Sequence, residues 1–370
     1  MTLATRVRGL AWLKPVLWWY LALRGAVLVV LICLNPFTHE GLLNKLTRWD
    51  SAWYLQAAMH GYPAHLEVVN GVVQPNTIAF FPLLPLLIRM LHTVTFLPYS
   101  VCGVLISVVS GLAAVLSVGV LVAKFRPRTD ALRAALLFCV FPGTFVFSMV
   151  YAEGLIITFT ALSLAAAIER RWVAAGLLAA VATAASPAAL ALSAALGFIA
   201  LRSIWTERDW RSLLAPVLSP LGALSYLVFL QIHTGSWNSW RRTEEGGWHS
   251  YPSARYPLHV LDVFFSNPIR AYKTIDLLIM GFVVVGFGLW WAFRQHQPAV
   301  MLAYAVLSVG LITISRPVGV RPRFILLAFP VIVAWALRFE GRAYKILFGC
   351  TLAGWVVLSA FEFYSWAIFP

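Results

Sequence analysis

VCGVLISVVSGLAAVLSVGVLVA runs from Val101 to Ala123 without one charged side chain, longer than the ~20 apolar residues that cross the hydrocarbon core of a bilayer. It ends at Lys124-Phe125-Arg126-Pro127-Arg128, and the same alternation of apolar run and polar punctuation recurs outward from it, at Ala26 to Leu34, Asp276 to Phe293 and Phe324 to Leu337. Over 370 residues the chain is 61% hydrophobic and 11% charged, with a mean hydropathy of +0.82. Soluble domains carry roughly 25% charged residues, so this sequence is written for lipid and a soluble domain is excluded. The first apolar run has no small-residue cleavage site and leads into further spans, and it reads as a retained helix rather than a signal peptide.

Spans are expected at about 16–34, 99–123, 134–150, 152–168, 172–185, 187–201, 213–232, 274–293, 298–314, 322–338 and 343–365, with ends soft by about two to four residues. The expected fold is an all-α polytopic membrane protein, a bundle of about eleven transmembrane helices (about ten to twelve) forming a single domain over 1–370. With the N-terminus in the cytoplasm, Arg6, Arg8, Lys14, Lys124, Arg126, Arg128, Arg133, Arg170, Arg171, Arg202, Arg208, Arg211, Arg294, Arg338, Arg342 and Lys345 fall in cytoplasmic segments. That is 16 of the 28 basic residues, which is the retention pattern of short cytoplasmic loops. It also accounts for the formal charge of +14 without nucleic acid as a partner. Stretch 78–97 would reverse this order if it crossed the membrane, so it reads as a re-entrant or interfacial helix, its regularity broken by Pro82 and Pro85. Ser186-Pro187 divides residues 172–201 into two short helices. Two long external segments remain, about 36–98 and 233–273, with short external turns at about 151–154 and 315–323. Cys33, Cys102, Cys139 and Cys350 lack paired spacing, so they read as packing residues with neither a zinc site nor a disulfide framework.

The polar residues of interest gather in those external segments. Arg48-Trp49-Asp50-Ser51-Ala52-Trp53-Tyr54-Leu55, followed by His60-Gly61-Tyr62, places an acid among aromatics just beyond the first span. Such a loop suits a sugar at the water–lipid boundary, and composition alone fits an interfacial aromatic belt with a solvated Asp equally well. Glu153 sits in the turn Tyr151-Ala152-Glu153-Gly154, where a negative charge is favourable at a helix N-terminus. Arg316, Arg321 and Arg323 in SRPVGVRPR, with Arg241 and Arg242, either hold a phosphate through bidentate contacts or snorkel to headgroups. Glu244, Glu245 and His249 share the large loop with Trp237, Trp240 and Trp248 and are weaker candidates for a flap over a sugar, a flexible surface loop fitting nearly as well. Arg24 and Glu362 are ionisable residues within spans, read here as snorkelling from near the helix ends. No Walker loop, dinucleotide fingerprint, HExxH or Ser-His-Asp signature occurs.

Three ordered motifs carry a family resemblance: RWDSAWYLQAAMHGY at 48–62, AFFPLLPLLIRML at 79–91 and FPGTFVFSMVYAEGL at 141–155. Together they resemble the PIG-V family, the GPI mannosyltransferase II type and its prokaryotic relatives, within the class C (GT-C) glycosyltransferase fold. The resemblance implies transfer of a sugar, usually mannose, from a polyprenyl phosphate with inversion, at the non-cytoplasmic face of a multi-pass cell membrane protein (the endoplasmic reticulum lumen in a eukaryote). It implies that the essential acid of the first external loop is Asp50 and that an acid stands at Glu153; attack by a hydroxyl on an anomeric carbon needs a base, the role read for Asp50, and the external positions of Arg48, Trp49, Trp53, Tyr54, Arg241, Arg242, His249, Arg316, Arg321 and Arg323 make them, with Glu153, the candidate substrate contacts. The expected partners are membrane lipid, a polyprenyl-phosphate-mannose donor and a glycolipid or cell-envelope glycan acceptor; no metal ligands are assigned. Where similar proteins carry an Arg before the turn between the fifth and sixth spans, this chain reads Ala184-Ala185-Ser186-Pro187-Ala188, so that contact is lost or relocated. Short loops and the lack of an Asn-x-Ser/Thr site point to a prokaryotic origin. The competing reading, a transporter or lipid flippase, calls for internal repeats and broken helices meeting at a midplane site, and the sequence displays neither.

Overall fold

The computed structural model describes residues 11–34, 41–266, 275–316 and 319–364. Arg6, Arg8 and the parts of the predicted loops and spans at 35–40, 267–274, 317–318 and 365 lie outside the described residues. The chain is a helical bundle built from α1 (Lys14–Leu34), α2 (Asp50–His60), α3 (Leu83–Thr95), α4 (Tyr99–Val122), α5 (Arg128–Cys139), α6 (Glu153–Ile168), α7 (Trp172–Ala185), α8 (Leu190–Glu207), α9 (Leu221–Thr234), α10 (Ile275–Arg294), α11 (Ala299–Ile314), α12 (Phe329–Arg338) and α13 (Gly341–Tyr364). Among the described residues strands are confined to two short antiparallel pairs, β1 (Val68–Val69) with β2 (Val72–Val73) and β3 (Tyr251–Pro252) with β4 (Ser315–Arg316). The core is aliphatic and alanine-rich, centred on α4, α5, α6, α7 and α12, while large apolar side chains such as Trp18, Ile32, Val109 and Trp290 are exposed. Apolar residues both inside and outside are the pattern of a multi-pass membrane bundle.

Each predicted span contains helix, although among the described residues four segments, Ala11–Cys33, Tyr99–Val122, Pro187–Glu207 and Gly341–Phe363, are single helices long and apolar enough to cross a membrane. Six segments qualify if two bent pairs each count once, Arg128–Cys139 with Pro142–Ser148 (71°) and Trp210–Leu218 with Leu221–Thr234 (41°). Proline explains both breaks, since Pro142 and Pro220 cannot donate the hydrogen bond that would continue the preceding helix. The predicted division at Ser186-Pro187 is present, with the Ser186 hydroxyl accepting from the Ala188 amide.

Two expectations change on folding. The 48–55 segment, read as loop, is helix from Asp50 onward. In 78–97 the prolines start the helix instead of breaking it: Pro82 is the N-cap of α3 and Pro85 lies in its first turn, where no intrahelical donor is needed. Leu86, Met90 and Val94 are exposed along one side of α3, while Arg89 donates from its Nε to the Ala58 carbonyl at 2.7 Å, so one face of α3 is apolar and uncovered and a cation secures the end of α2.

Arg24 does not snorkel, because its place on α1 turns it into the bundle. It is 7% exposed and donates from Nη1 to the Thr144 carbonyl (3.0 Å) and the Ser148 hydroxyl (2.8 Å), with the rings of Tyr20 and Trp355 against it. These acceptors belong to the irregular turn Pro142–Ser148, whose backbone groups need partners because the regular ladder is broken there. Gly143, at the start of that turn, lies directly under the Pro322 carbonyl, and a Cβ there would overlap it. Close backbone approach at one glycine therefore fixes 141–155 against 321–323.

The ends of the bundle differ. At one, Arg126 donates to the Gln295 carbonyl, Arg133 to the Phe339 carbonyl and Glu340, and the pairs Lys124–Glu169 and Arg170–Glu207 form. At the other lie α2, the β1–β2 hairpin and residues 235–256, 315–316 and 319–323.

Gly143→Ala is expected to destabilise the protein by about 1–3 kcal/mol, the usual cost of overpacking. A lowered thermal midpoint of the detergent-purified variant checks this, and an unchanged midpoint contradicts the close approach.

Candidate active site

Residues 48–50 make the turn on which the site is built. Trp49 has φ 58 and ψ −131, a conformation that favours glycine and costs a side-chain-bearing residue ~1–3 kcal/mol unless its neighbours hold it. They do so on both sides: Arg48, 6% exposed, donates from Nη1 to the Glu362 backbone carbonyl at 3.4 Å, and Asp50 is held by Arg323. Asp50 thus opens α2 at its N-terminal end, where a carboxylate interacts favourably with the helix dipole.

The centre of the site is Arg323. Its Nη1 donates to Asp50 Oδ2 at 2.7 Å and its Nε donates to Glu153 Oε1, while its guanidinium lies 4.2 Å from the Tyr151 ring centroid and 4.9 Å from that of Phe324. The three side chains are graded in exposure, Glu153 at 5%, Arg323 at 9% and Asp50 at 31%. The inner carboxylate anchors the guanidinium, and the guanidinium in turn orients an outer carboxylate that solvent can reach. Tyr54, buried beside them and set edge-on to Phe80 at 4.9 Å, has its phenol pushed up by burial, with Glu153 adding to the effect. Glu362 is buried in α13 and faces Trp49 and Arg48; the expectation that it snorkels is corrected, since its helix face is turned inward at the level of the 48–50 turn.

Residues 235–256 roof this centre. Asn76 donates to the Thr243 hydroxyl at 3.2 Å, Trp248 sets its edge against Trp53 (5.2 Å) and Phe80 (5.5 Å), and the Ser253 amide donates to the Ile314 carbonyl. Thr243–Gly247 is a π-helical turn, a form that concentrates at functional sites. Glu244 on this turn is half-buried and is pushed up to about 7, first by burial and further by the charge of Asp50. The packed roof replaces the flexible loop considered from sequence.

The predicted site residues divide. Asp50, Glu153 and Arg323 meet directly, with Tyr54 packed beside them and Arg48 and Trp49 forming the turn that presents Asp50. Trp53 is stacked on Phe80, the rings 4° from parallel. Arg321 is half-buried within reach of Arg323 and Tyr256. Arg316 is exposed and donates to the Tyr251 hydroxyl at 2.9 Å. Arg241, Arg242 and His249 are on the exposed surface of the roof, Arg241 paired with Glu245 at 2.7 Å. The Tyr151 ring beneath Arg323 was not singled out from sequence, although it lies inside the third motif. Among the described residues no three His, Cys, Asp or Glu side chains form a potential metal set.

Removing the guanidinium in Arg323→Met leaves two carboxylates without their cation, at an expected cost of about 3–5 kcal/mol; Glu153→Gln in the same chain restores part of it. Thermal midpoints of the single and double variants check this, and equal midpoints refute it. For Glu244 the folded carboxyl titrates near 7 against an ordinary 4.5, so the neutral form stabilises the fold fully below 4.5 and that contribution is lost as pH rises to 7. The midpoint should fall between pH 5 and pH 8 more steeply in the wild type than in Glu244→Gln. Parallel pH profiles would remove Glu244 as the source.

The chain is similar to known proteins in sequence and in fold. Residues 31–209 match the model of the mannosyltransferase (PIG-V) family, a segment that contains all three motifs and both carboxylates, while Arg323 lies beyond it. No curated protein sequence matches the chain. Among solved structures it is similar to ArnT from Cupriavidus metallidurans bound to undecaprenyl phosphate, at 16% identity and a TM-score of 0.53 over 92% of this chain and 63% of that one. It is also similar to the Archaeoglobus fulgidus oligosaccharyltransferase tethered with an acceptor peptide, at 13% identity and a TM-score of 0.53 over 97% of this chain and 57% of that one. The same archaeal enzyme, AglB, in complex with an inhibitory peptide and a dolichol-phosphate matches at 14% identity and a TM-score of 0.50, over 97% of this chain and 57% of that one. The chain therefore spans less than two thirds of the length of these structures, and at such identities the likeness is one of fold. The resemblance read from the sequence holds: over residues 31–209 the chain matches the mannosyltransferase (PIG-V) family, and it folds as the class C (GT-C) membrane glycosyltransferases do.

Proposed function

We propose that this protein is a polyprenyl-phosphate-sugar-dependent glycosyltransferase, an inverting mannosyltransferase that acts on a glycolipid or cell-envelope acceptor at the non-cytoplasmic face. The single observation that carries the reading is the Asp50–Arg323–Glu153 arrangement, a reachable carboxylate oriented by a buried guanidinium, in a chain whose 31–209 segment matches a mannosyltransferase family. Undecaprenyl phosphate and dolichol-phosphate in structures of the same fold support a lipid-linked donor. Placing the basic end of the bundle in the cytoplasm, with about eleven spans, puts Asp50 on the opposite side.

In this mechanism the acceptor hydroxyl gives its proton to Asp50 as its oxygen bonds to the anomeric carbon, from the side opposite the phosphate. The bond from that carbon to the phosphate oxygen breaks, and the lipid phosphate leaves with the electron pair, so the configuration inverts. A phosphate leaves without protonation, which is why one base suffices here and the paired carboxylates of glycoside hydrolysis are not required. General base catalysis by a positioned carboxylate supplies ~10²–10⁴-fold. Arg323 and Glu153 fix the carboxylate, and Arg321, with Arg48 and the outer Arg316, provides positive charge for the leaving phosphate. Trp49, Trp53 and Tyr54 shape the sugar side, while Arg241, Arg242 and His249 form the outer, acceptor-facing rim.

Asp50→Asn should lower sugar transfer from polyprenyl-phosphate-mannose by at least ~10²-fold in a membrane assay while the protein stays folded. Wild-type rates in that variant would remove Asp50 from the mechanism.

A further inference from the structure

Along α2, Asp50 is followed at intervals of 3, 3 and 4 residues by Trp53, Gln56 and His60, spacing that keeps all four along one side of the helix. Beyond Asp50 that side opens into a cleft of about 350 Å³ lined by Trp53, Gln56, His60, Tyr62, Asn76 and Thr77 together with two prolines. The volume lies in the ~300–1,000 Å³ range of small-molecule sites.

The chemistry of the lining selects its occupant. No Asp, Glu, Lys or Arg lines it, so it lacks the charged groups that favour an anionic or cationic ligand over a neutral one. It combines aromatic rings with amide, imidazole and hydroxyl groups, which matches a pyranose, whose C–H faces lie on rings and whose hydroxyls both donate and accept. The walls are already made: the Tyr62 hydroxyl donates to the Phe80 carbonyl (2.9 Å), the Thr77 hydroxyl to the Gly61 carbonyl (3.0 Å), and Asn76 Oδ1 accepts from the Ile78 amide (2.9 Å). Trp53 is fixed by Phe80 and Trp248. Gly61, at φ 81, turns the chain out of α2 directly beneath His60. Gln56 and His60, by contrast, are exposed polar side chains, and among the described residues no hydrogen bond to the Gln56 amide or the His60 ring is present. A rigid pocket with two uncommitted polar groups is preorganised for a ligand.

We propose that this cleft is a saccharide subsite, holding a pyranose ring of the acceptor glycan next to the hydroxyl that Asp50 deprotonates. From Asp50, Gln56 and His60 lie ~9 and ~15 Å along the axis at 1.5 Å per residue, the reach of a short oligosaccharide. Assignment to the acceptor rests on the glycosyltransferase reading above, whereas binding of sugar by the cleft does not.

The test measures binding and transfer separately on the full-length protein in detergent. Saturation-transfer NMR with mannotriose should show contact in the wild type, and Gln56→Ala/His60→Ala should weaken that binding at least tenfold at an unchanged thermal midpoint. Absence of mannotriose binding to the wild type, or equal binding by the double variant, overturns the subsite. Transfer from polyprenyl-phosphate-mannose is then assayed on the wild type: mannotriose binding without transfer sinks the catalytic reading and leaves the subsite standing, while transfer without mannotriose binding sinks the subsite alone.

Discussion

A guanidinium held out of water between two carboxylates is the interaction on which the rest of this structure turns. Arg323 reaches Asp50 across 273 residues and Glu153 across 170, so the contact exists only when the beginning, middle and end of the chain are packed correctly. Desolvating three charges is expensive, and the arrangement stands because each charge has its partner and the guanidinium also rests on the Tyr151 ring. Burial pairs for their own sake add little stability; what this one supplies is direction, since it points one carboxylate of graded exposure toward the surface.

The surrounding irregularities make sense in relation to that centre. The break at Pro142 and the glycine that follows it bring 141–155 under Pro322, and Arg24 supplies the hydrogen bonds that the broken helix no longer makes for itself. The Trp49 backbone stores strain where Asp50 must be presented, and Arg48 and Arg323 hold it from either side. A roof of aromatic edges, Trp248 on Trp53 and Phe80, joins residues 235–256 to the first segment, which places the π-helical turn and Glu244 close enough to Asp50 for their charges to interact.

Hydropathy and basic punctuation alone gave the membrane class, nearly all helix positions and the break at Ser186-Pro187, because these depend on local composition and on proline's missing donor. Motif resemblance directed attention to Asp50 and Glu153. The role of the prolines in 78–97 was misjudged because a proline that ends one helix and a proline that begins another look alike without the register of the turn. Arg24 and Glu362 were misjudged for a related reason: depth along a helix is readable from sequence, but the side of the helix that meets the bundle is not when both sides are apolar.

The sequence by itself determined that this chain lives in a bilayer and where along it the basic residues gather, since both follow from residue type and order, and its motifs singled out the acid that follows the first span. Only the tertiary structure decided that Arg323 belongs to that acid, that Glu153 faces the same guanidinium and that a neutral cleft continues along α2. Those are contacts between residues far apart in the chain, and in a uniformly apolar bundle only the packing of helix against helix sets which polar side chains meet.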